Sequence, residues 1–224
     1  SARYGSRCPI CLEEWDVNGR WNVRVCCCRM VCKSCADKIE AACPLCRLPP
    51  AENDAEDLAR LRRHVENEVL EAITFLGIAY CEGWLGLVKS DKKAAKIWKR
   101  AVELGDVEAM PLLAQLHTTG SGVKLDKKKA MKLFRAAADR GYAVAQFNLG
   151  VLLRREKQVE EAFRYDALAA DQGYTDAELN LGYSYMLGEG TEVDLAKARY
   201  WFERAAAKGD EKATRNLARL DAQV

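Results

Sequence analysis

From Ala51 to the C-terminus the apolar positions read as helix after helix, and small residues punctuate them in a register that repeats. Glycine falls at Gly105, Gly141, Gly173 and Gly209, with spacings of 36, 32 and 36 residues. Alanine stands four residues before each of them (Ala101, Ala137, Ala169, Ala205), eleven before (Ala94, Ala130, Ala162, Ala198) and four after (Ala109, Ala145, Ala177, Ala213). Fifteen residues before each comes a candidate helix cap: Ser90, Asp126, Gln158 and Asp194. The pattern predicts units of two helices, each of about a dozen residues, ending at a glycine in the left-handed conformation. Bulky residues fill between the small ones. Trp98, Phe134 and Phe202 share one position, and Ile97, Leu133, Tyr165 and Trp201 share the next, while Asp166 interrupts the first set. One such unit cannot bury its apolar face alone, so neighbours must stack into a continuous core.

Ahead of this array, Pro49 and Pro50 cannot enter a helix interior and mark a boundary. Asn53 or Asp54 then caps a first helix whose opening turn is acidic. The chain therefore divides into residues 1–50, a linker and capping helix over 51–66, and a repeat array over 67–224. In the first part, Asn18-Gly19, flanked by Trp15 and Trp21 and by Val23 and Val25, predicts a small hairpin, with the tryptophans as its packing. The segment ADKIEAA between Cys35 and Cys43 predicts a short helix.

Cysteine changes the picture of that first part. Nine of the ten cysteines lie between Cys8 and Arg47, in three Cys-x-x-Cys pairs (Cys8 and Cys11, Cys32 and Cys35, Cys43 and Cys46) and the run Cys26, Cys27, Cys28. A two-residue spacer lets both sulfurs of a pair reach one tetrahedral ion, so eight ligands imply two zinc ions. Nine thiols is an odd number for disulfides, and no signal peptide precedes them. About forty residues cannot bury enough apolar surface to fold alone, so metal binding, worth about 10–16 kcal/mol, must supply the stability. Of the run, Cys26 with Cys27 and Cys26 with Cys28 both remain as ligand pairs.

The formal net charge is +2, and two sites of four thiolates around a dication would each bring it down by two. That balance speaks against a general nucleic-acid binder. The longest nearly apolar stretch, Ala72 to Cys81, is too short to span a bilayer, so no membrane anchor is visible. Starting at Ser1, the chain reads as a fragment or a processed product, and its reduced, metal-binding thiols predict a cytoplasmic or nuclear location. Lys92, Lys96 and Lys99 on one helical face, and Lys127, Lys128, Lys129 and Lys132 on the equivalent helix, read as a solvated surface, with an acidic partner as the alternative. Cys81 reads as a small buried residue, and His64 and His117 carry no role.

The order of the cysteine clusters resembles the RING finger, in its all-cysteine variant rather than the commoner form with a histidine ligand. The resemblance implies a cross-brace: Cys8, Cys11, Cys32 and Cys35 around one zinc, and Cys43, Cys46 and two of Cys26, Cys27 and Cys28 around the other. It implies a ubiquitin ligase that recruits a ubiquitin-charged conjugating enzyme (E2) without covalent chemistry of its own. By position, Ile10, Ile39, Pro44 and Leu45 would contact the E2. Arg47 would be the linchpin, its planar fork holding the ubiquitin thioester in one orientation. The second part resembles the Sel1-like repeats, a tetratricopeptide-like α/α class, through Gly120, Gly122, Val123, Asp126 and Ala130 in one copy and Gly188, Gly190, Val193, Asp194 and Ala198 in another. Four copies from about Asn67 and a terminal capping helix are expected, with departures at Glu68, at the WLGLVKSDKKA loop and at the shortened RREKQV loop. Such repeats act as protein-binding scaffolds. The expected protein is thus mostly α, a RING-like zinc finger before an α/α solenoid. It is either a ligase whose repeats hold a substrate or regulator, or a non-catalytic scaffold with a structural finger. Nucleic-acid binding is the weakest alternative.

Overall fold

A computed structural model describes the backbone of residues 21–24 and 29–32, and residues 51–222 in full. The chain forms two compact units, one up to Lys127 and one from Lys128.

In the first unit, β1 (Trp21–Arg24) and β2 (Arg29–Cys32) pair antiparallel, with Trp21 opposite Cys32 and Arg24 opposite Arg29. The turn expected at Asn18-Gly19, its arm at Trp15 and the helix expected over ADKIEAA lie outside the described residues. The arm after that turn pairs forward, with the segment that follows the Cys26–Cys28 run. β-Branched residues on both sides of the run make that ladder the natural one.

Helices follow: α1 (Asp54–Glu66), α2 (Leu70–Glu82), α3 (Asp91–Glu103) and α4 (Ala109–Thr119). Asn53, rather than Asp54, is the first cap, accepting the Glu56 backbone N–H at 3.0 Å. Ser90 caps α3 in the same way from Lys93. Leu61, Ala72 and Leu76 form a core that Leu58, Val65, Phe75 and Ile97 flank. Gly77 is essential here: a Cβ at that position would overlap the Trp98 indole, whose Nε1–H instead donates to the Thr74 carbonyl at 3.0 Å.

The second unit contains α5 (Lys127–Ala138, all but its first residue), α6 (Ala143–Arg155), α7 (Val159–Asp171), α8 (Thr175–Leu187), α9 (Leu195–Ala207) and α10 (Glu211–Asp221). Asp194 caps α9 and Asp210 caps α10, while Gln158 makes no side-chain cap bond to α7. Phe202 is fully buried against Gly182, with Tyr183 edge-on at 5.4 Å. The twelve register alanines are all fully buried, so a larger residue at those positions would overpack the helix contacts.

The four register glycines all have positive φ, between 83° and 93°, as expected of helix-ending glycines. Where the first copy has Glu68 instead, the backbone keeps the left-handed bend at φ 55°, and Lys157 does so at 61° in the shortened loop. The second glycine of each G-x-G loop has a different job. A Cβ on Gly122 would lie 2.7 Å from the Asp91 carbonyl oxygen, and one on Gly190 would lie 2.9 Å from the Val159 carbonyl carbon. Each loop thus presses backbone to backbone onto the start of the second helix of the preceding repeat.

Candidate functional site

Cys8, Cys11, Cys26, Cys27, Cys28, Cys35, Cys43 and Cys46 lie outside the described residues, as do Ile10, Ile39, Pro44, Leu45 and Arg47. Cys32 closes β2, paired across the ladder with Trp21. The described candidates for function are therefore faces and polar clusters of the helices.

In the first unit a buried polar chain links α2 to the turn after α3. Thr74 Oγ donates to Asp106, and Asp106 accepts the Glu108 backbone N–H at 2.9 Å. Burial pushes the Asp106 carboxyl up, against the pull of those donors. Burial, with Asp106 and Glu71 nearby, pushes Glu108 up to about 7. These groups hold the turn between repeats and expose little to a partner.

Outward, α3 presents Lys92, Lys93, Lys96, Lys99 and Arg100, all exposed, against Asp91 and Glu103. Cys81 is half-buried rather than buried: its thiol lies 3.6 Å from an Asp91 carboxylate oxygen, and desolvation followed by that neighbour pushes its pKa up. A thiol so placed is a poor nucleophile. His117 is buried, with Nδ1 3.1 Å from the Lys124 carbonyl, and serves the loop.

The second unit holds two buried carboxylates that the sequence reading did not place. Asp166 occupies the slot that aromatics fill elsewhere, with no exposure, and Arg154 meets it at 2.6 Å. Gly150 leaves room for it, since a Cβ there would stand 2.7 Å from Asp166 Oδ1. Burial pushes the Asp166 carboxyl up, and Arg154 opposes the shift. Glu178, also fully buried, is held by Arg204 and Lys208, each at 2.9 Å, though its Oε2 lacks an aligned hydrogen bond. Arg204 in turn stacks over Trp201 at 4.9 Å. The signal for Asp166 was its break in the aromatic set. For Glu178 it was a column in which Met110, Gln146, Glu178 and Thr214 stand one residue after the register alanine. A shallow groove of about 470 Å³ in the same unit is lined by residues that include Asp139, Gln146, Glu161, Arg164, Tyr165 and Leu168. Four of these polar groups pair with protein: Glu161 with Arg135, Tyr165 with Asp139 at 3.0 Å, and Gln146 with Gln172 at 2.7 Å.

Paired helices, buried register alanines and left-handed glycines are the marks of an α/α repeat, and the model of the Sel1 repeat matches residues 70–106, 107–142, 143–174 and 175–210. The chain belongs to the Sel1 repeat family. The four expected copies are thereby found, and the mostly helical part is an α/α solenoid of Sel1 repeats. Among curated proteins the chain is similar to the chitin synthase regulator SKT5 of Saccharomyces cerevisiae, 34% identical over 164 residues, 69% of this chain and 24% of that one. It is also similar to DAP3-binding cell death enhancer 1 of Mus musculus, 36% identical over 107 residues, 47% of this chain and 21% of that one. The chain thus spans about a quarter or less of the curated relatives it matches. Among solved structures, a Sel1 repeat protein of Oxalobacter formigenes matches with a TM-score of 0.67 at 27% identity, over 73% of this chain and 69% of that one. The Escherichia coli protective antigen c5321, displaying an SLR fold, has a TM-score of 0.72 at 24% identity, over 78% of this chain and 38% of that one, and shows the fold alone. No helix among the described residues is long and apolar enough to cross a membrane.

Proposed function

We propose that this protein is a protein-binding scaffold whose Sel1 repeats hold a polypeptide partner. The observation that carries this reading is the run of four Sel1 repeats over residues 70–210. The names of the two curated relatives, a regulator and a binding protein, point the same way. Physically, the buried polar groups of the repeats are engaged in holding helices in register, which leaves exposed helix faces as the surface available to a partner. Chemical crosslinking of the full chain in a cell extract, read by mass spectrometry, tests this. Reproducible crosslinks from repeat lysines to one protein support the scaffold. Crosslinks that vary between preparations and vanish on dilution would count against it.

A second reading rests on the cysteine spacing between Cys8 and Cys46: two zinc ions held in a RING-like finger that recruits an E2 and activates ubiquitin transfer, while the repeats hold the substrate or regulator. Here Cys8, Cys11, Cys32 and Cys35 would hold one ion, and Cys43, Cys46 and two of Cys26 to Cys28 the other. Ile10, Ile39, Pro44 and Leu45 would face the E2, and Arg47 would orient the thioester. A reducing compartment, the cytoplasm or nucleus, would keep the thiols metal-bound. Zinc-loaded protein mixed with activating enzyme, a panel of E2 enzymes, ubiquitin and ATP distinguishes the readings. Discharge that Arg47→Ala abolishes, with zinc retained, makes the protein a ligase. Silence across the panel with two zinc ions bound leaves the finger structural.

A further inference from the structure

The most exposed large apolar residue on the described helices and loops is Val88, at 82%. It stands two residues before the α3 cap Ser90, where the other full-length loops have Lys124 and Glu192. No local packing explains an apolar side chain there.

Beyond it, the helical rotation places Lys92, Lys96 and Lys99 in one stripe along α3. Some cations of this helix have partners: Lys93 lies over the Tyr80 ring at 5.0 Å, Lys99 reaches Glu103 at 3.8 Å, and Arg100 meets Glu68 at 3.1 Å. No ion pair or ring contact is formed by Lys92 or Lys96 among the described residues. The corresponding helix of the last repeat differs. In α9, Lys197 pairs with Asp194, Arg199 with Asp221, and Arg204 with Glu178. The α3 stripe also sets Lys92 in the first turn, where the helix macrodipole disfavours a cation, and four residues from Lys96, where like charges repel. A surface that leaves such repulsion uncompensated is complementary to an anionic partner.

We propose that the stripe from Val88 along Lys92 and Lys96 docks an acidic polypeptide segment bearing one apolar residue; this rests on the protein-binding reading above. The carboxylates interleave with the lysines and relieve their mutual repulsion, and the apolar residue covers Val88. A helix of 13 residues is about 20 Å long, the span of about six residues of extended chain. Nucleic acid fits the stripe less well. Its phosphates are best met by planar guanidinium forks and its bases by aromatic faces, whereas this stripe offers ammonium groups and has Asp91 and Glu103 at its ends.

The test uses the full chain and fluorescein-labelled decapeptides of glutamate with one leucine at either end, read by anisotropy. Binding by one of the two is expected, weakening as salt rises from about 50 to 300 mM. K92E/K96E should weaken it at least tenfold and K92Q/K96Q by less, whereas V88S should weaken it about threefold without changing the salt dependence. The charge-matched K212E/R215E on α10 should leave it unchanged. The proposal is overturned if K212E/R215E and K92E/K96E act equally, if neither peptide binds, or if an oligothymidylate or phosphatidylserine vesicles bind more tightly than the peptide. A crosslinked cellular partner that binds K92E/K96E as well as the parent overturns this surface and leaves the scaffold reading intact.

Discussion

Arg154→Met should be among the most damaging single substitutions in the second unit, and Asp166→Phe should repair it. Asp166 is fully buried and Arg154 is its cation at 2.6 Å, so removing the arginine leaves a carboxylate with only the weak Asn180 contacts at 3.5 Å. Breaking a buried pair in this way costs about 3–5 kcal/mol. Replacing both partners is different. Phe202 and Trp98 fill the equivalent slots against Gly182 and Gly77, and in the fourth repeat Met186 stands where Arg154 does, so a methionine and phenylalanine reproduce the pairing of that repeat. The double variant should equal the parent or exceed it by about 1–4 kcal/mol. Urea unfolding followed by circular dichroism gives both values. A pH series adds an independent sign. An acid held above its ordinary value in the folded state is penalised as pH rises, and without Arg154 the Asp166 carboxyl moves further up. The deficit of Arg154→Met should therefore shrink between pH 8 and pH 5. If Arg154→Met costs under about 1 kcal/mol, or if the double variant is as unstable as the single one, the pair does not carry the slot as argued.

Glu108, pushed up to about 7 from an ordinary 4.5, costs stability as pH rises through that window, by about 3 kcal/mol in total. Glu108→Gln should accordingly gain over the parent at pH 8 and show no gain at pH 4, by urea midpoint. Gly182→Ala drives a methyl group into the buried Phe202 ring and should cost about 1–3 kcal/mol, seen as a lowered thermal midpoint. Lys157→Gly relieves a left-handed backbone at φ 61° and should raise stability by about 0.5–1 kcal/mol; an unchanged midpoint would mean that the loop carries no strain. Cys43→Ala should leave the helical signal and the protease resistance of the repeats intact while increasing cleavage before Pro49, if zinc holds that segment.

The backbone of the repeats was legible because its demands are steric. Alanine where helices touch and glycine where φ is positive leave traces in any sequence, and both recur in register here. The N-cap reading succeeded at Ser90 and Asp194, whose short side chains reach the third backbone N–H beyond them, and failed at Gln158, whose longer amide makes no such bond. The polar interior was less legible. Asp166 was visible only as a break in an aromatic column, because its partner Arg154 lies on another helix at no characteristic spacing. Glu178 likewise left only a polar break in the column after the register alanines, because its cations lie 26 and 30 residues away. The hairpin expected at Asn18-Gly19 lies outside the described residues, and the ladder that joins the two sides of the cysteine run is one the sequence did not announce.

The contacts between Gln146 and Gln172 and between Glu178 and Lys208 occupy the same place in successive repeats, yet their chemistry differs. Each repeat therefore carries its own lock and key, with both halves inside it: Gln146 and Gln172 in residues 143–174, Glu178 and Lys208 in residues 175–210. Exchanging whole repeats moves both halves together and keeps these pairs. Grafting one helix of the third repeat onto the other helix of the fourth would set Glu178 against an amide or Lys208 against Gln146, burying a charge with too few partners. Anyone who would lengthen, shorten or shuffle the array should cut between repeats, never between the two helices of one.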